Sequence, residues 1–363
     1  MGTAPRPNRL SSQCACCMAT PGFGSVALSR RSVLTGGIAA LSLGATAATV
    51  MAPAVSAQAA KSRIDVHHHY VPPVHADAMA TRRAGGRPPK WSPQMSLEEM
   101  DKSGIATAIV SLVQPATWFA DDVPGSRRLA RECNEYGAKM VADHPGRFGV
   151  FAAISPPDTE GSLKEIEYAL DTLKADGIGL MTSYGDKYLG DKSFEPVYEE
   201  LNRRKALIYV HPTSPACCTK LDTGLSPGTV EYATDSTRTI GQLVISGTAA
   251  KFPDIRWIFS HSGGTLPFLT GRFIRLAQER KLPDPLLEFR KFHYELAQGN
   301  TPGQIAALLK MVSITQVLFG TDYPFRDGAE VNAGIEAYGF GADDVRSIER
   351  EVATRLIPRL KAV

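Results

Sequence analysis

Eight short apolar or β-branched runs, each followed by a longer stretch with apolar residues near helical spacing, constrain this chain more than any other feature. The runs are Arg63–His69, Thr107–Val113, Phe148–Ile154, Gly177–Ser183, Ala206–Pro212, Ile255–His261, Phe292–Gln298 and Gln316–Pro324. Helical periodicity covers Ser96–Ser103, Ser126–His144, Gly161–Ala175, Glu195–Arg204, Thr234–Phe252, Thr265–Arg280 and Thr301–Val312, and Ala342–Leu360 closes the chain. Runs such as Ile208-Tyr209-Val210 and Trp257-Ile258-Phe259 are continuously apolar, as strands covered on both faces are. Strands that alternate with helices pair in parallel, and eight such units close on themselves. The pattern therefore predicts an α/β protein, a (β/α)8 TIM barrel forming one domain over residues 61–363. An open doubly wound sheet also alternates, but no glycine-rich phosphate loop follows any run. Val71–Pro93, rich in Pro, Arg and Gly, reads as an irregular insertion on the active-site face, either a lid or a plain surface loop.

Composition changes near residue 60. The 363 residues are 43% hydrophobic and 21% charged, enough to bury a large core. The formal charge of +3 comes from the first sixty residues, which hold Arg6, Arg9, Arg30 and Arg31 and no acid; the rest carries 36 basic against 37 acidic residues. A near-neutral body has no electrostatic footprint for a phosphate backbone, which excludes nucleic acid as a partner. The segment Ser29-Arg30-Arg31-Ser32-Val33-Leu34, the weakly apolar Gly36–Ala54 and Val55-Ser56-Ala57 together read as a signal peptide, and the paired arginines resemble the twin-arginine type. The apolar run is broken by Gly, Thr and Pro and falls short of the ~20 strongly apolar residues of a membrane span. Residues 1–60 are thus expected to export a folded, metal-loaded protein to the periplasm or beyond, with no membrane anchor after processing. Of six cysteines, Cys14, Cys16 and Cys17 fall in this leader. Cys133, Cys217 and Cys218 remain, an odd set with no Cys-x-x-Cys pair, so neither a disulfide framework nor a thiolate metal site is expected.

Barrel chemistry comes from the carboxyl ends of strands, and five of the eight histidines sit there. The first run ends in His67-His68-His69, the fifth in His211, the sixth in His261, and the eighth carries Asp322. Side chains alternate along a strand, so His67 and His69 share a face and His68 points to the barrel wall. With His211 and Asp322 they offer three neutral nitrogens and one anionic oxygen. That set suits one divalent ion, zinc first and manganese second, with a position left for water or substrate. Related two-metal barrels use a carboxylated lysine after the fourth strand, where this chain reads Leu180-Met181-Thr182-Ser183, so one metal is expected. His261 heads the sharp turn Ser262-Gly263-Gly264; it serves as an acid or base near the metal, or as a further ligand. Trp118, Phe119, Tyr184 and Phe325 follow strand ends and are candidates for an aromatic-binding wall. His68, His75, His144 and His293 read as structural or surface residues.

Asp65-Val66-His67-His68-His69, Val210-His211-Pro212, Ser260-His261-Ser262-Gly263-Gly264 and Phe319-Gly320-Thr321-Asp322-Tyr323-Pro324 together resemble the amidohydrolase superfamily of metal-dependent hydrolase type. They are most similar to its mononuclear decarboxylase branch, typified by aminocarboxymuconate semialdehyde decarboxylase. Thr237-Arg238 through Ser246-Gly247-Thr248 and Phe252–Arg256 look like the methylsalicylate decarboxylase subgroup. The resemblance spans Arg63 to Pro324. It implies that His67, His69, His211 and Asp322 hold the metal and that His261 acts on water there. It also implies that Arg272 reaches the substrate carboxylate of a neighbouring subunit, which requires a homodimer and a guanidinium's bidentate grip. A second family arginine is missing, because the stretch after Trp91-Ser92-Pro93 reads Met95-Ser96-Leu97-Glu98; this favours an acid other than the muconate.

The reading that follows is a non-oxidative decarboxylase of an ortho-hydroxylated aromatic or unsaturated carboxylic acid. Protonating the carbon that bears the carboxylate, by Asp322 or by water that His261 manages, makes carbon dioxide the leaving group, and the metal stabilises charge on the oxygens. A hydrolase of a lactone or amide would use the same ligands. A non-catalytic exported metal binder would need the ligands alone.

Overall fold

The eight apolar runs become eight strands of one parallel sheet. In a computed structural model, residues 62–82, 88–214 and 224–362 are described; the leader, Cys217 and Cys218 lie outside them. The strands are β1 (Arg63–Tyr70), β2 (Ile105–Leu112), β3 (Phe148–Ala153), β4 (Gly177–Met181), β5 (Leu207–His211), β6 (Arg256–Phe259), β7 (His293–Glu295) and β8 (Val317–Leu318), and they pair in chain order. The last run pairs regularly over only two residues, but its continuation closes the barrel. Val66 N donates to Phe319 O (3.1 Å), Asp322 N to His67 O (2.7 Å) and His69 N to Tyr323 O (2.7 Å). The architecture is a (β/α)8 TIM barrel.

Two apolar cores follow from the alternation of side chains along the strands. Inside, Ile64, Val66, Ile109, Phe151, Tyr209, Ile258 and Leu318 pack with Val352, Leu356, Ile357 and Leu360, so the C-terminal segment plugs the barrel floor. Outside, Val110, Phe148, Ile178, Leu180, Ile208 and Val210 pack against the helix residues Cys133, Met140, Val197, Leu201, Ile240 and Leu243. Cys133 is a free, buried thiol.

Several expectations need correction. Part of Val71–Pro93 is the helix Pro73–Arg82, because Pro73 stands at the first helical position, where its missing N–H costs nothing. An unexpected helix, Gly328–Tyr338, is started by the Asp327 carboxylate, which accepts from Glu330 N, and stopped by Gly339 at φ +81°. The long helical stretch Thr234–Phe252 splits at Gly247, also at φ +81°, into Glu231–Ile245 and Thr248–Lys251. Ala342–Leu360 is helical without a break from Ala342 to Leu356, through a π turn at Ser347–Glu351, and a short 3-10 helix follows from Pro358. Among the described residues no helix is long and apolar enough to cross a membrane.

Candidate metal centre

The first strand carries a β-bulge just where its chemistry begins. Against β2, Asp65 pairs with Ala108 but His68 pairs with Val110, so β1 holds one extra residue. A bulge re-aims side chains. Before it, Ile64 and Val66 face the inner core; after it, His67 and His69 face the barrel mouth. The buried Asp65 carboxylate fastens this bend by accepting from His67 N (3.0 Å), Thr321 N (3.0 Å) and Thr321 Oγ1 (2.7 Å). It also meets His68 Nδ1 at 3.0 Å, and His68 turns away to Ser96 Oγ (2.9 Å) and stacks on Tyr323.

Each remaining imidazole is oriented by an acceptor at Nδ1. His67 Nδ1 lies 2.9 Å from Glu295 Oε1, His69 Nδ1 3.2 Å from Ser111 O, and His211 Nδ1 2.9 Å from Pro212 O. Such acceptors fix the tautomer and turn the Nε2 lone pairs into the site. The Nε2 atoms of His67 and His69 are 3.1 Å apart, and each lies 3.0 Å from Asp322 Oδ1; His211 Nε2 lies 4.0 Å from it. Donor atoms of the four residues all fall within 4.8 Å of one another. Ligands about 2.1 Å from an ion stand roughly 3–4 Å apart, so the spacing fits one divalent cation held by three neutral nitrogens and a carboxylate oxygen.

The buried carboxylates create a demand for positive charge at this point, which a proton on His67 or a divalent cation can meet. Burial alone would lower the pKa of the His67 ring, but the carboxylates of Glu295 and Asp322 outweigh it and push it up to about 10. Burial lowers His69 and His211, keeping both neutral and able to donate lone pairs. For Asp322 burial works upward, yet the charge of His67 and the close imidazoles of His261, His67 and His69 hold the carboxyl well below the usual carboxylate range. Its backbone sits at φ +66°, a left-handed conformation that the surrounding bonds maintain.

His261 stands beside this set in another strained turn, where His261, Ser262, Gly263 and Gly264 all have positive φ. Its backbone N donates to Glu295 Oε1 (2.6 Å). Its ring Nε2 lies 3.5 Å from Asp322 Oδ2 and has no hydrogen-bond partner among the described residues. Gln298 Nε2 donates to the same Oδ2. An unengaged buried imidazole next to a carboxylate can accept or give a proton to a molecule in the site.

A cavity of about 430 Å³ opens over His211 and Asp322, with Met79, Val113, Gln114, Tyr232, Phe325 and Arg326 in its wall. Its size suits one substituted aromatic ring. Phe325 lines it as expected, its ring edge-on to His69 at 5.7 Å. Tyr184 and Trp118 do not. Tyr184 is buried, accepts from Met181 N (3.1 Å) and packs on Phe194; Trp118 packs against the outer core. Both leave strand ends but turn back beneath the helices. Phe119 instead lies under the Arg82 guanidinium (4.1 Å). Arg272 is exposed on the outer helix Leu266–Arg280 and does not line this chain's own cavity.

Sequence reasoning missed Glu295, Asp65, Gln298, Tyr232 and Gln114. For the two acids a signal existed: Ile64-Asp65-Val66 and Tyr294-Glu295-Leu296 each set a lone carboxylate in an apolar strand, where it must be paired. Tyr232 and Gln114 left none, because their pairing, amide to phenol, joins the first turn of the helix Glu231–Ile245 to the distant loop after β2.

A family model described as Amidohydrolase matches residues 64–359. The chain belongs to the amidohydrolase family. This amidohydrolase is 38% identical over 326 residues to the decarboxylase yanB of Aspergillus niger, which spans 82% of this chain and 88% of the relative. It is 34% identical over 319 residues to a 6-methylsalicylic acid decarboxylase of Penicillium expansum, covering 83% and 98%. Its fold matches a dihydroxybenzoic acid decarboxylase of Polaromonas sp. JS666, solved with bound manganese and 2-nitroresorcinol, at a TM-score of 0.73 and 22% identity over 82% of this chain and 97% of that one.

Glu295 touches no donor position directly but fixes both His67 and His261. Glu295→Gln is therefore expected to weaken divalent-metal affinity about 10–100-fold by calorimetry while circular dichroism stays unchanged. Undiminished affinity would show that the carboxylate does not serve the site.

Proposed function

We propose that this amidohydrolase is a metal-dependent, non-oxidative decarboxylase of small aromatic acids of the 6-methylsalicylate type. One juxtaposition carries the reading: the buried set His67, His69, His211 and Asp322 lies beside the unengaged His261 ring, under a cavity sized for one aromatic ring. The named decarboxylases among its relatives match across the whole barrel. When bound, a divalent ion supplies positive charge that holds the acid's oxygens and stabilises the negative charge developing on them.

The protein's own residues supply orientation and a proton. Asp322 offers Oδ1 to the metal position and keeps Oδ2 toward His261 and Gln298. A proton held between His261 Nε2 and that oxygen passes to the ring carbon that bears the carboxylate. The carbon–carbon bond then breaks, carbon dioxide leaves, and the bond's electron pair restores the aromatic ring. Atoms balance without oxidant or water: one carboxylate anion and one proton give one arene and one carbon dioxide. Phe325 and Tyr232 confine the ring. Burial and the charge of Asp322 raise the Tyr232 phenol, so it stays protonated as a donor.

Manganese is the preferred ion over the zinc first expected. The donor set accepts either, and the fold neighbour from Polaromonas binds manganese. The hydrolase alternative is set aside because these relatives are decarboxylases. A homodimer is supported by Phe268, 68% exposed on the helix that carries Arg272, and by exposed Leu287 on the short helix Leu286–Phe289 that follows in the chain. In such a dimer Arg272 would serve the partner's substrate. Export by the twin-arginine route stays attached to Arg30-Arg31.

Manganese-loaded protein is expected to release carbon dioxide from 6-methylsalicylate and to stop on chelation. His261→Ala should lower kcat about 10²–10⁴-fold while retaining the metal. Activity that survives chelation contradicts the mechanism. Sedimentation should give twice the mass of the chain and Phe268→Asp should give one; a wild-type monomer would remove the role of Arg272. In cell fractionation, Arg30→Lys with Arg31→Lys should hold the protein in the cytoplasm, and unchanged localisation would rule out that route.

A further inference from the structure

Of the three imidazoles in the donor set, His211 has the most local support. His67 and His69 lean on acceptors from other strands, Glu295 and the Ser111 carbonyl, whereas His211 Nδ1 meets the carbonyl of its own neighbour, Pro212, at 2.9 Å. The aim of that ring therefore depends on how the turn His211-Pro212-Thr213 is held where it leaves β5. Pro212 has no N–H and cannot be tied to a neighbouring strand through its own amide. The turn has to be fastened on either side of it.

One residue fastens both sides. Thr182, fully buried directly after β4, donates its backbone N–H to His211 O (2.9 Å), and its Oγ1 accepts from Thr213 N (3.0 Å). The hydroxyl hydrogen goes to Asp235 Oδ2, and the Thr182 carbonyl accepts from Thr239 Oγ1 (2.9 Å). A hydroxyl that gives its single hydrogen to a carboxylate must turn its lone pairs toward its other neighbour, here Thr213 N. Asp235 is fully buried on the helix Glu231–Ile245, one turn after Tyr232 of the cavity wall, and its Oδ1 accepts from Tyr188 OH (2.6 Å). Burial pushes this carboxyl up, against the pull of the two hydroxyls and of Thr213 N. Burying a carboxylate is costly, yet neither Asp235 nor Thr182 lines the cavity or belongs to the donor set.

We infer that Thr182 and Asp235 are positioning residues for the metal: together they clamp the His211-Pro212-Thr213 turn, so that the Pro212 carbonyl holds His211 with Nε2 toward Asp322. The inference rests on the reading of His211 as a metal ligand, and it adds two residues that touch neither metal nor substrate. Without the Thr182 hydroxyl, Thr213 N loses its acceptor and the Pro212 carbonyl its fixed direction, while the pairing of β4 with β5 from Ile178 to Met181 remains. Support of this kind behind a metal-bound imidazole is worth about 10–100-fold in affinity.

The test measures manganese affinity by calorimetry with no acid present, beside the melting temperature of the metal-free protein. Thr182→Val, which keeps the shape and removes the hydroxyl, is expected to weaken manganese about 10–100-fold, and Thr182→Ser, which keeps the hydroxyl, to bind as the unaltered protein does. Tyr188→Phe removes the other bond to Asp235, at Oδ1, and should leave the affinity unchanged even where it lowers the melting temperature. Asp235→Asn sets a donor against the hydroxyls and should repeat the loss seen with Thr182→Val; it takes that variant's place if Thr182→Val does not fold. Unweakened binding by Thr182→Val, or by Asp235→Asn in its place, overturns the inference. So does an equal loss in Tyr188→Phe, which would mark general loosening. His211→Ala that binds manganese as tightly as the unaltered protein would remove the ligand reading and the clamp with it. Carbon dioxide release does not enter these measurements, so failure of the decarboxylase reading leaves the clamp standing and the two failures are told apart.

Discussion

Three imidazole nitrogens and a carboxylate oxygen that crowd within 4.8 Å of one another demand positive charge among them, as a proton or as a metal cation. That constraint organises the barrel mouth. Each imidazole needs an acceptor behind it to hold the lone pair forward, and those acceptors come from four different strands or their ends: Glu295, the carbonyls of Ser111 and Pro212, and through His67 the bulge that Asp65 ties down. The bonds that join β8 to β1 are the same bonds that aim Asp322. Asp322 N donates to His67 O, and Thr321 donates twice to Asp65. Closing the barrel and assembling the donor set are one event.

This arrangement places negative charge in excess. Asp65, Glu295 and Asp322 are all buried within one shell, and burying carboxylates is costly unless each is hydrogen-bonded and neutralised. Backbone and hydroxyl donors satisfy Asp65; His67, His261 N and Ala297 N satisfy Glu295. Asp322 is met by imidazoles and Gln298, and a divalent ion completes the compensation. The strained residues gather at the same place, with positive φ at His261, Ser262, Gln298 and Asp322, as expected where geometry is set by chemistry and not by local preference.

Much of this could be read from the sequence, for identifiable reasons. Strand ends are marked by composition, and histidine or aspartate at a strand end in a parallel barrel has few structural uses, so His67, His69, His211, His261 and Asp322 stood out. Alternation alone could not explain how Ile64 and Val66 face inward together with His67 and His69. The bulge reconciles them, and a bulge leaves no composition mark. Glu295 escapes notice because a run such as Tyr294-Glu295-Leu296 reads as strand whether or not its single acid serves a site. Tyr184 and Trp118 were misplaced because proximity to a strand end fixes distance from the site but not direction. Arg272 could be located on its helix, but its exposed place on the outer face keeps it away from this chain's own cavity. The helix Gly328–Tyr338 escaped because its start depends on the Asp327 side chain and its end on Gly339.

Diffraction from crystals soaked in manganese, recorded at the manganese absorption edge, tests most directly whether these four residues form one metal site. A single anomalous peak is expected about 2.0–2.3 Å from Nε2 of His67, His69 and His211 and from Oδ1 of Asp322, with Glu295 still on His67 Nδ1. A peak ligated by Glu295, or one elsewhere on the protein with these four residues uncoordinated, would contradict it.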